Sequence, residues 1–410
     1  MMNRPVRVGI THGDINGIGY EIIMKALADE TFTELCTPVV FGSPKLFSFY
    51  RKQLGINDFY YRQIASAENV ADGEINVVNI SNEDFKVTPG QPSPEGGAAA
   101  LLSLEKGVEA VMAGDVDVLV TAPIDKHTIQ SDRFRFAGHT EYLREKAGEG
   151  SRSLMILFAD ALRVALVTTH LPISEVSAAI SKERIVETVK LFDASLRADF
   201  ACERPKIAVL SLNPHCGDNG LLGHEEKDVI APAIEECLNE GILAFGPYSA
   251  DGFFAGEGIH AFDGVVAMYH DQGLAPFKAL ARDRGVNFTA GLPFVRTSPD
   301  HGTAYDIAGK GVADPVSMRE AIYQAIDIFR RRRVFESASA NPLARQTDTR
   351  KGDKEKPRRS EEKPEPNVAE RRVKDQQRPP RRKDMPKQAP EQPAAEEPVA
   401  DTAPAGETEN

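Results

Sequence analysis

Three segments of the sequence are short, apolar and β-branched, and each ends in a histidine. The histidines are His170, His215 and His270, and the segments cover residues 162–170, 206–215 and 264–270. Runs of this kind are typical of strands buried on both faces of a parallel sheet. Ligands bind open α/β sheets at the carboxyl ends of such strands, so three imidazoles could converge there on one metal ion. A single histidine at a strand end is more often a hydrogen-bonded structural residue, and the repetition is what favours a metal site.

The chemistry of such a metal site depends on how many coordination positions of the metal the protein leaves open. Three nitrogen ligands leave room for a substrate, which a catalytic metal needs and a structural zinc site excludes. Imidazoles favour zinc, cobalt, nickel or iron, although a substrate with oxygen ligands could bring in Mg²⁺ or Mn²⁺. Asp271, beside His270, and Asp251 are candidates for further ligands or for outer-sphere partners. An N-cap or a solvated loop carboxylate explains either aspartate equally well.

Strand-like and helix-like patterns alternate along the chain and must position these histidines. Further strands are predicted at 6–11, 37–42 and 116–123, and helices at 21–27, 98–112, 173–196, 225–239 and 317–332. This alternation predicts an α/β fold with a mainly parallel, helix-covered sheet. The glycine turn after the first strand could bind an anion, but its G-x-x-x-G-x-G spacing is not the dinucleotide fingerprint. Residues 285–309, rich in Gly, Thr, Asp and His, are interpreted as binding loops.

The composition limits the location and the partners of the protein. The formal net charge of −12 falls almost wholly on the part expected to fold, which argues against nucleic-acid binding. No signal peptide and no membrane-spanning apolar run is visible. Four dispersed cysteines without a Cys-x-x-Cys pair fit a reduced, cytoplasmic protein. Residues 341–410 are dense in Pro, Glu, Lys and Arg, so we expect a disordered, solvated tail there rather than a partner-binding arm.

Several linked motifs resemble the 4-hydroxythreonine-4-phosphate dehydrogenase family of pyridoxine biosynthesis. The resemblance covers residues 4–335. Its motifs are TAPIDK at 121–126, GHTE at 138–141, LVTTHLP at 166–172, LNPH at 212–215, YHDQG at 269–273, GLPFVRTS at 291–298 and DHGT at 300–303. The resemblance implies two α/β domains with the active site in the cleft between them, and a homodimer. We expect one domain at residues 1–132 plus 296–336 and the other at 133–295.

The resemblance also implies roles for individual residues. His170, His215 and His270 match the family's metal ligands, in a site that straddles the dimer interface and draws ligands from both subunits. The matching substrate contacts are His139, Thr140, Lys278, Asn287 and Arg296. The segment beginning at His301 resembles the adenosine-binding loop of isocitrate and isopropylmalate dehydrogenases, which implies cofactor contacts at His301, Gly302 and Asp306. Lys278 and Asp271 are the candidate catalytic residues.

The implied reaction is the oxidation of 4-phosphooxy-L-threonine by NAD or NADP, with one divalent ion (Zn, Co or Mg), followed by loss of CO₂. Arg296 and Lys278 are the expected cationic partners for phosphate or carboxylate, and Lys278 or a bound water could supply the final proton. A paralogue that acts on threonate or erythronate 4-phosphate stays open. The loop 301–306 speaks against a metal-dependent hydrolase or lyase without nicotinamide, and a scaffold protein leaves the clustered polar residues unexplained.

The sequence departs from the family pattern in two places that bear on the cleft. The first loop carries His12 and, at 15–16, Ile-Asn, where much of the family has Pro and Pro-Ala. Cys216 replaces a commoner small residue after the Asn-Pro-His motif. None of these positions is a predicted metal ligand. We expect His12 to lie near enough to the cleft to affect substrate choice.

Overall fold

A twelve-stranded mixed sheet runs through the part of the chain that the structure describes. The structure is a computed structural model that describes residues 4–29, 31–56, 59–148, 150–256 and 258–341. The tail predicted for 341–410 therefore lies, apart from Asn341, outside the described residues.

Strands and helices alternate along most of the described chain. The strands are β1 Val6–Thr11, β2 Cys36–Gly42, β3 Arg62–Ile64, β4 Asn76–Asn79, β5 Val118–Thr121, β6 Leu154–Ala159, β7 Leu162–Leu166, β8 Lys206–Leu210, β9 Leu243–Tyr248, β10 Gly264–Ala267, β11 Val286–Ala290 and β12 Val295–Pro299. The α-helices are α1 Gly19–Leu27, α2 Thr31–Leu35, α3 Pro44–Leu54, α4 Pro94–Ala113, α5 His139–Lys146, α6 Ile173–Ala179, α7 Lys182–Ala198, α8 Ala231–Asn239, α9 Ala250–Ala255, α10 Gly258–Ala261, α11 His270–Ala281 and α12 Val316–Ser339. Short helical turns cover Ala67–Asn69, Pro214–Gly220 and Glu226–Ile230.

The sheet consists of two parallel halves joined by an antiparallel centre. Its strand order is β3-β4-β2-β1-β5-β12-β11-β6-β7-β10-β8-β9. Neighbours from β3 to β12 are parallel, as are those from β7 to β9. Between these halves β11 is antiparallel to both β12 and β6, and β6 is antiparallel to β7. The predicted α/β class with a mainly parallel sheet is confirmed. The expected domain boundaries stay a prediction, because the sheet is continuous and the described residues fall within one compact unit, Met1–Leu343.

The central strands separate an apolar face from a polar one. On one face of β11 and β12, the side chains are buried in the hydrophobic core cluster that also contains residues of α7 and α12. These side chains are Val286, Phe288, Ala290 and Val295. Successive side chains of a strand point to opposite faces. The other face of β11 and β12 therefore presents Asn287, Thr289, Arg296 and Ser298.

Helices on the polar face leave the centre of the sheet open. α4 packs against β1, β2 and β5, whereas α11 packs against β6, β7 and β10. α4 begins with Pro94 at its first position, and the Ser93 hydroxyl accepts the Gly96 N–H at 3.1 Å. It ends at Gly114, whose φ of 82° lies in the left-handed region, which favours a residue without a Cβ. The polar strands lie between these helix-covered halves and form the floor of a cleft.

The strands that the sequence predicted before the three histidines are confirmed as β7, β8 and β10. The single helix predicted for 173–196 is wrong: α6 and α7 are separate, because Ser181 caps α7 by accepting the Arg184 N–H at 3.2 Å. Residues 285–309 were expected to be loops, but they contain the strands β11 and β12. The polar, cleft-facing side chains of these strands give the segment the composition of a loop. Among the described residues, no helix is both long enough and apolar enough to cross a membrane.

Candidate active site

The pairing register of the central strands places polar side chains together on the floor of the cleft. Asn287 of β11 lies opposite Ser298 of β12, and Thr289 lies opposite Met155 of β6. Residues that oppose each other across neighbouring strands share a face. The cleft floor therefore carries hydroxyl, amide and guanidinium groups drawn from strands far apart in the sequence.

Arg296 is the dominant charge of this floor. It is 2% exposed, and its guanidinium donates to the Thr121 hydroxyl at 2.6 and 3.1 Å and to the Thr289 hydroxyl at 3.1 Å. It forms no ion pair with any carboxylate among the described residues. Burial lowers the pKa of Arg296 to about 9, and the nearby Glu141 carboxylate opposes that shift. A buried, unpaired cation is costly, so an anionic ligand is its natural partner.

Three buried polar atoms around the same space have no hydrogen-bond partner among the described residues: His139 Nε2, Asn287 Oδ1 and His301 Nε2. Native proteins pair nearly all such atoms, so their grouping marks a place where a ligand supplies the partners. Burial lowers the pKa of His139 well below its ordinary value, with Arg296 and Lys126 adding to the shift. Burial also lowers the pKa of His301. Both imidazoles are therefore neutral near pH 7, and each offers one free nitrogen.

These groups line one cavity of about 290 Å³. All five predicted substrate contacts, His139, Thr140, Lys278, Asn287 and Arg296, line it. The predicted metal ligands His170 and His270 and the cofactor-loop residues His301 and Gly302 do so too. This volume is near the lower end of the ~300–1,000 Å³ typical of small-molecule sites. The cavity therefore suits a small polar ligand.

His170 and His270 approach each other at the carboxyl ends of adjacent parallel strands. Their ring centroids are 6.0 Å apart, because β7 pairs with β10. His270 Nδ1 lies 2.7 Å from an Asp271 carboxylate oxygen, which leaves Nε2 free. A carboxylate that holds the far nitrogen of an imidazole is the usual support of a metal-ligating histidine. The donor chemistry of this pair therefore fits a divalent metal.

Hydrogen bonds tie the three histidine-bearing strand ends together. The Thr168 hydroxyl, two residues before His170, donates to the Met268 carbonyl at 2.7 Å. The Gln272 side chain accepts the Met268 N–H at 2.7 Å and donates to the Ser211 carbonyl at 2.6 Å. The ends of β7, β10 and β8 are thus linked in series. Such a link keeps the loops after these strands in register with each other.

The third predicted ligand, His215, lines a neighbouring cavity together with Asp251, Tyr269 and Gln272. Within the described residues, no group of three His, Cys, Asp or Glu side chains is arranged to hold a metal ion. One chain therefore brings two of the three imidazoles into the cleft but does not assemble all three.

The remaining predicted residues take different positions. Lys278 lines the cavity with its ammonium 3.3 Å from the Asp300 carbonyl. Asp271, predicted to be catalytic, is 83% exposed and contacts His270, so its position suits orienting that imidazole. Asp306 is exposed and does not line the cavity. His12 is fully buried, stacks on Tyr20 at 5.0 Å and does not itself line the cavity. Its expected effect on substrate choice stays a prediction.

Three charged residues of the cavity were not predicted as site residues: Lys126, Glu141 and Asp300. Lys126 Nζ lies 3.4 Å from His170 Nε2, and Glu141 lines the cavity beside Thr140. All three stand in motifs that the resemblance picked out. Lys126 follows β5 closely, so the strand-end argument used for the histidines would have indicated it.

The fold and the cleft define an α/β protein whose site for a small anionic ligand is built around the buried guanidinium of Arg296. The model of the family described as "Pyridoxal phosphate biosynthetic protein PdxA" matches residues 34–325. The chain belongs to this family, and the resemblance found in the sequence is confirmed.

Individual relatives agree with this placement. A 4-hydroxythreonine-4-phosphate dehydrogenase of Bacteroides thetaiotaomicron is 52% identical over 87% of this chain and 98% of the relative. A crystal structure of 4-hydroxythreonine-4-phosphate dehydrogenase from Klebsiella pneumoniae has a TM-score of 0.68 and 34% identity, over 80% of this chain and 99% of that one. An Oceanobacillus iheyensis relative, 39% identical over 80% of this chain and 99% of its own length, carries the provisional name D-threonate 4-phosphate dehydrogenase.

Proposed function

We propose that this protein is a metal-dependent, NAD(P)-linked dehydrogenase that oxidises and decarboxylates 4-phosphooxy-L-threonine. The products are 3-amino-2-oxopropyl phosphate, CO₂ and NAD(P)H, in pyridoxal phosphate biosynthesis. The 52% identical dehydrogenase of Bacteroides thetaiotaomicron supports this assignment. The four free cysteines support a cytoplasmic location.

The observation that carries the proposal is the buried, unpaired guanidinium of Arg296. It shares one cavity with the orphaned polar atoms of His139, Asn287 and His301. The proposed substrate brings a phosphate and a carboxylate, which are the groups that such a cation and such donors bind. Arg and Lys differ here, because the planar fork of Arg binds two oxygens at once.

In the proposed mechanism the residues of the chain bind, orient and protonate the substrate. Arg296 and Lys278 pair with the phosphate or the carboxylate, and Lys126 adds a third positive charge to the cavity. His139, Thr140 and Asn287 orient the substrate through hydrogen bonds. After CO₂ leaves, the amine-bearing carbon, which is C2 of the substrate and C3 of the product, needs a proton, and Lys278 or a bound water supplies it.

His170, His215 and His270 would hold the divalent ion, and the loop that contains His301, Gly302 and Asp306 would contact the nicotinamide cofactor. When bound, the metal ion stabilises negative charge on substrate oxygen and the nicotinamide takes up the hydride. The neutral state of His301 leaves its Nε2 available as a hydrogen-bond partner. Asp271 holds His270 in the orientation that a ligand needs.

A homodimer would complete the metal site. His215 lies in a separate cavity from the other two ligands, so the proposal takes it from the other subunit. Apolar side chains next to both histidine loops support an interface there. Ile173, after His170, is 72% exposed, and Leu221, after His215, is 78% exposed. Exposed apolar side chains are common at protein–protein contacts, and these two follow the proposed ligands closely in the sequence.

The second candidate substrate is D-threonate 4-phosphate, which lacks the amine, and the named Oceanobacillus iheyensis relative favours it. A substrate panel distinguishes the two candidates. Purified protein is incubated with 4-phosphooxy-L-threonine, D-threonate 4-phosphate or D-erythronate 4-phosphate, each with NAD⁺ and with NADP⁺. The proposal predicts the highest kcat/KM for the amine-bearing substrate. A higher kcat/KM for threonate phosphate would assign the protein to the paralogous activity.

A further inference from the structure

The loop that carries His215 has a strained backbone. Five consecutive residues, His215 to Asn219, have positive φ angles of 51°, 52°, 76°, 42° and 55°. All but Gly217 carry a Cβ, and left-handed conformations cost such residues roughly 1–2 kcal/mol each. A turn of this kind persists only where its surroundings hold it in place. We call residues 214–220 the left-handed turn.

The Glu226 carboxylate provides much of that hold. One of its oxygens accepts the Leu212 N–H at 2.8 Å and the Asn213 N–H at 2.7 Å. The other accepts an N–H of the Asn213 side chain at 3.0 Å. These two residues lead directly into Pro214 and His215. Both oxygens of the carboxylate thus hold Leu212 and Asn213, the residues that precede the left-handed turn.

The same carboxylate packs against the turn itself. A Cβ placed on Gly217 would lie 2.7 Å from a Glu226 oxygen, so the carboxylate packs tightly against the backbone there. Glu226 is 5% exposed, and among the described residues it forms no ion pair with a cation. A buried carboxylate is stable only when hydrogen bonds satisfy it. Glu226 therefore requires the loop to present these N–H groups, and the loop requires Glu226.

We propose that Glu226 is the positioning residue for His215, holding the left-handed turn in the shape that presents this imidazole as a metal ligand. The proposal rests on the function proposed above, in which His215 is a ligand. Outer-sphere partners of this kind contribute roughly 10- to 100-fold to metal affinity. Glu226 does not touch the metal, so its effect acts through the geometry of the loop.

The test compares Co²⁺ binding by the metal-free full-length dimer in wild type, Glu226→Gln, Glu226→Ala and His215→Ala, by calorimetric titration. Glutamine keeps one acceptor oxygen but turns an NH₂ group toward the Asn213 amide. Asn213 cannot simply flip, because it also donates to Glu225 at 2.8 Å. We expect about tenfold weaker Co²⁺ binding in Glu226→Gln and a larger loss in Glu226→Ala. At saturating Co²⁺, turnover of Glu226→Gln should return to near wild type, which a general folding defect would not allow.

Asp199→Asn is the matched control. Asp199 is also a buried carboxylate, 2% exposed, bonded to Arg332 and Ser195, and it lines neither cavity. Its loss should lower the melting temperature and leave Co²⁺ affinity unchanged. Wild-type Co²⁺ affinity in Glu226→Gln, or an equal loss in the control, would overturn the role of Glu226. Wild-type affinity in His215→Ala would instead overturn the metal assignment itself.

Discussion

Replacing Arg296 with methionine should abolish most activity and yet stabilise the ligand-free protein. Burial lowers the pKa of this guanidinium from 12.5 to about 9. Because the pKa in the folded chain is the lower one, the charged form is penalised in the folded state below about pH 9. The penalty fades as the pH rises from there toward 12.5. At pH 7 it is fully present.

The size of the effect follows from the same shift. A difference of about 3.5 pKa units corresponds to about 5 kcal/mol as an upper bound. Methionine leaves the Thr121 and Thr289 hydroxyls without this partner, at about 1 kcal/mol each. The net gain in the free energy of unfolding should therefore be about 2–3 kcal/mol. The loss of a buried charge-assisted contact to the substrate should cost about 2–5 kcal/mol, or about 30- to 5,000-fold in kcat/KM.

Two measurements check this prediction: thermal unfolding of the ligand-free protein at pH 7, and kcat/KM with the phosphorylated substrate. Arg163→Met is the control, because burial also lowers the pKa of Arg163, yet it packs on Phe200, outside the cavity. The control should leave kcat/KM within about twofold of wild type. An Arg296→Met protein that melts at a lower temperature than wild type and keeps wild-type kcat/KM would refute the reasoning.

Three further predictions follow from the site and from the buried loop beside it. Alanine at His170, His215 or His270 should abolish turnover and weaken metal binding. Mixing the His215 and His270 variants, with subunit exchange, should restore part of the activity. No recovery would indicate that each site is built within one chain. Lys126→Met should lower kcat/KM by about tenfold or more, equivalent to about 1.4 kcal/mol, without lowering the melting temperature; unchanged kinetics would remove Lys126 from the site. Burial lowers the pKa of His12 to about 4, so the folded protein should lose up to about 3 kcal/mol as the pH falls from 6.5 to 4. His12→Gln should flatten that slope in urea titrations, and an unchanged slope would show that other groups cause it.

Local sequence patterns predicted those strands and helices that can be recognised from their own residues alone. The apolar runs that become β7, β8 and β10 end in His170, His215 and His270, so both the strands and the residues at their ends were visible. The break between α6 and α7 was missed because the helical pattern continues across Ser181, and only its capping bond reveals it.

The burial of Arg296 could not be predicted in this way. It depends on β12 lying between β5 and β11, and its partner Thr121 is 175 residues away in the sequence. The interpretation of 285–309 as loops was wrong for β11 and β12 for the same reason: side chains that face a cleft rather than a core do not show apolar alternation. The sequence singled out His12 as a departure from the family pattern but did not show that its side chain is buried against Tyr20.

The central claim is that this cleft couples oxidation by nicotinamide to decarboxylation with the help of a divalent ion. The most direct test incubates the protein with 4-phosphooxy-L-threonine and NAD⁺ or NADP⁺, and follows reduced cofactor and CO₂ together. We expect equal amounts of both, loss of both when the metal is chelated, and recovery when Zn²⁺, Co²⁺ or Mg²⁺ is added back. Undiminished formation of reduced cofactor by rigorously metal-free protein, or reduced cofactor without CO₂, would contradict it.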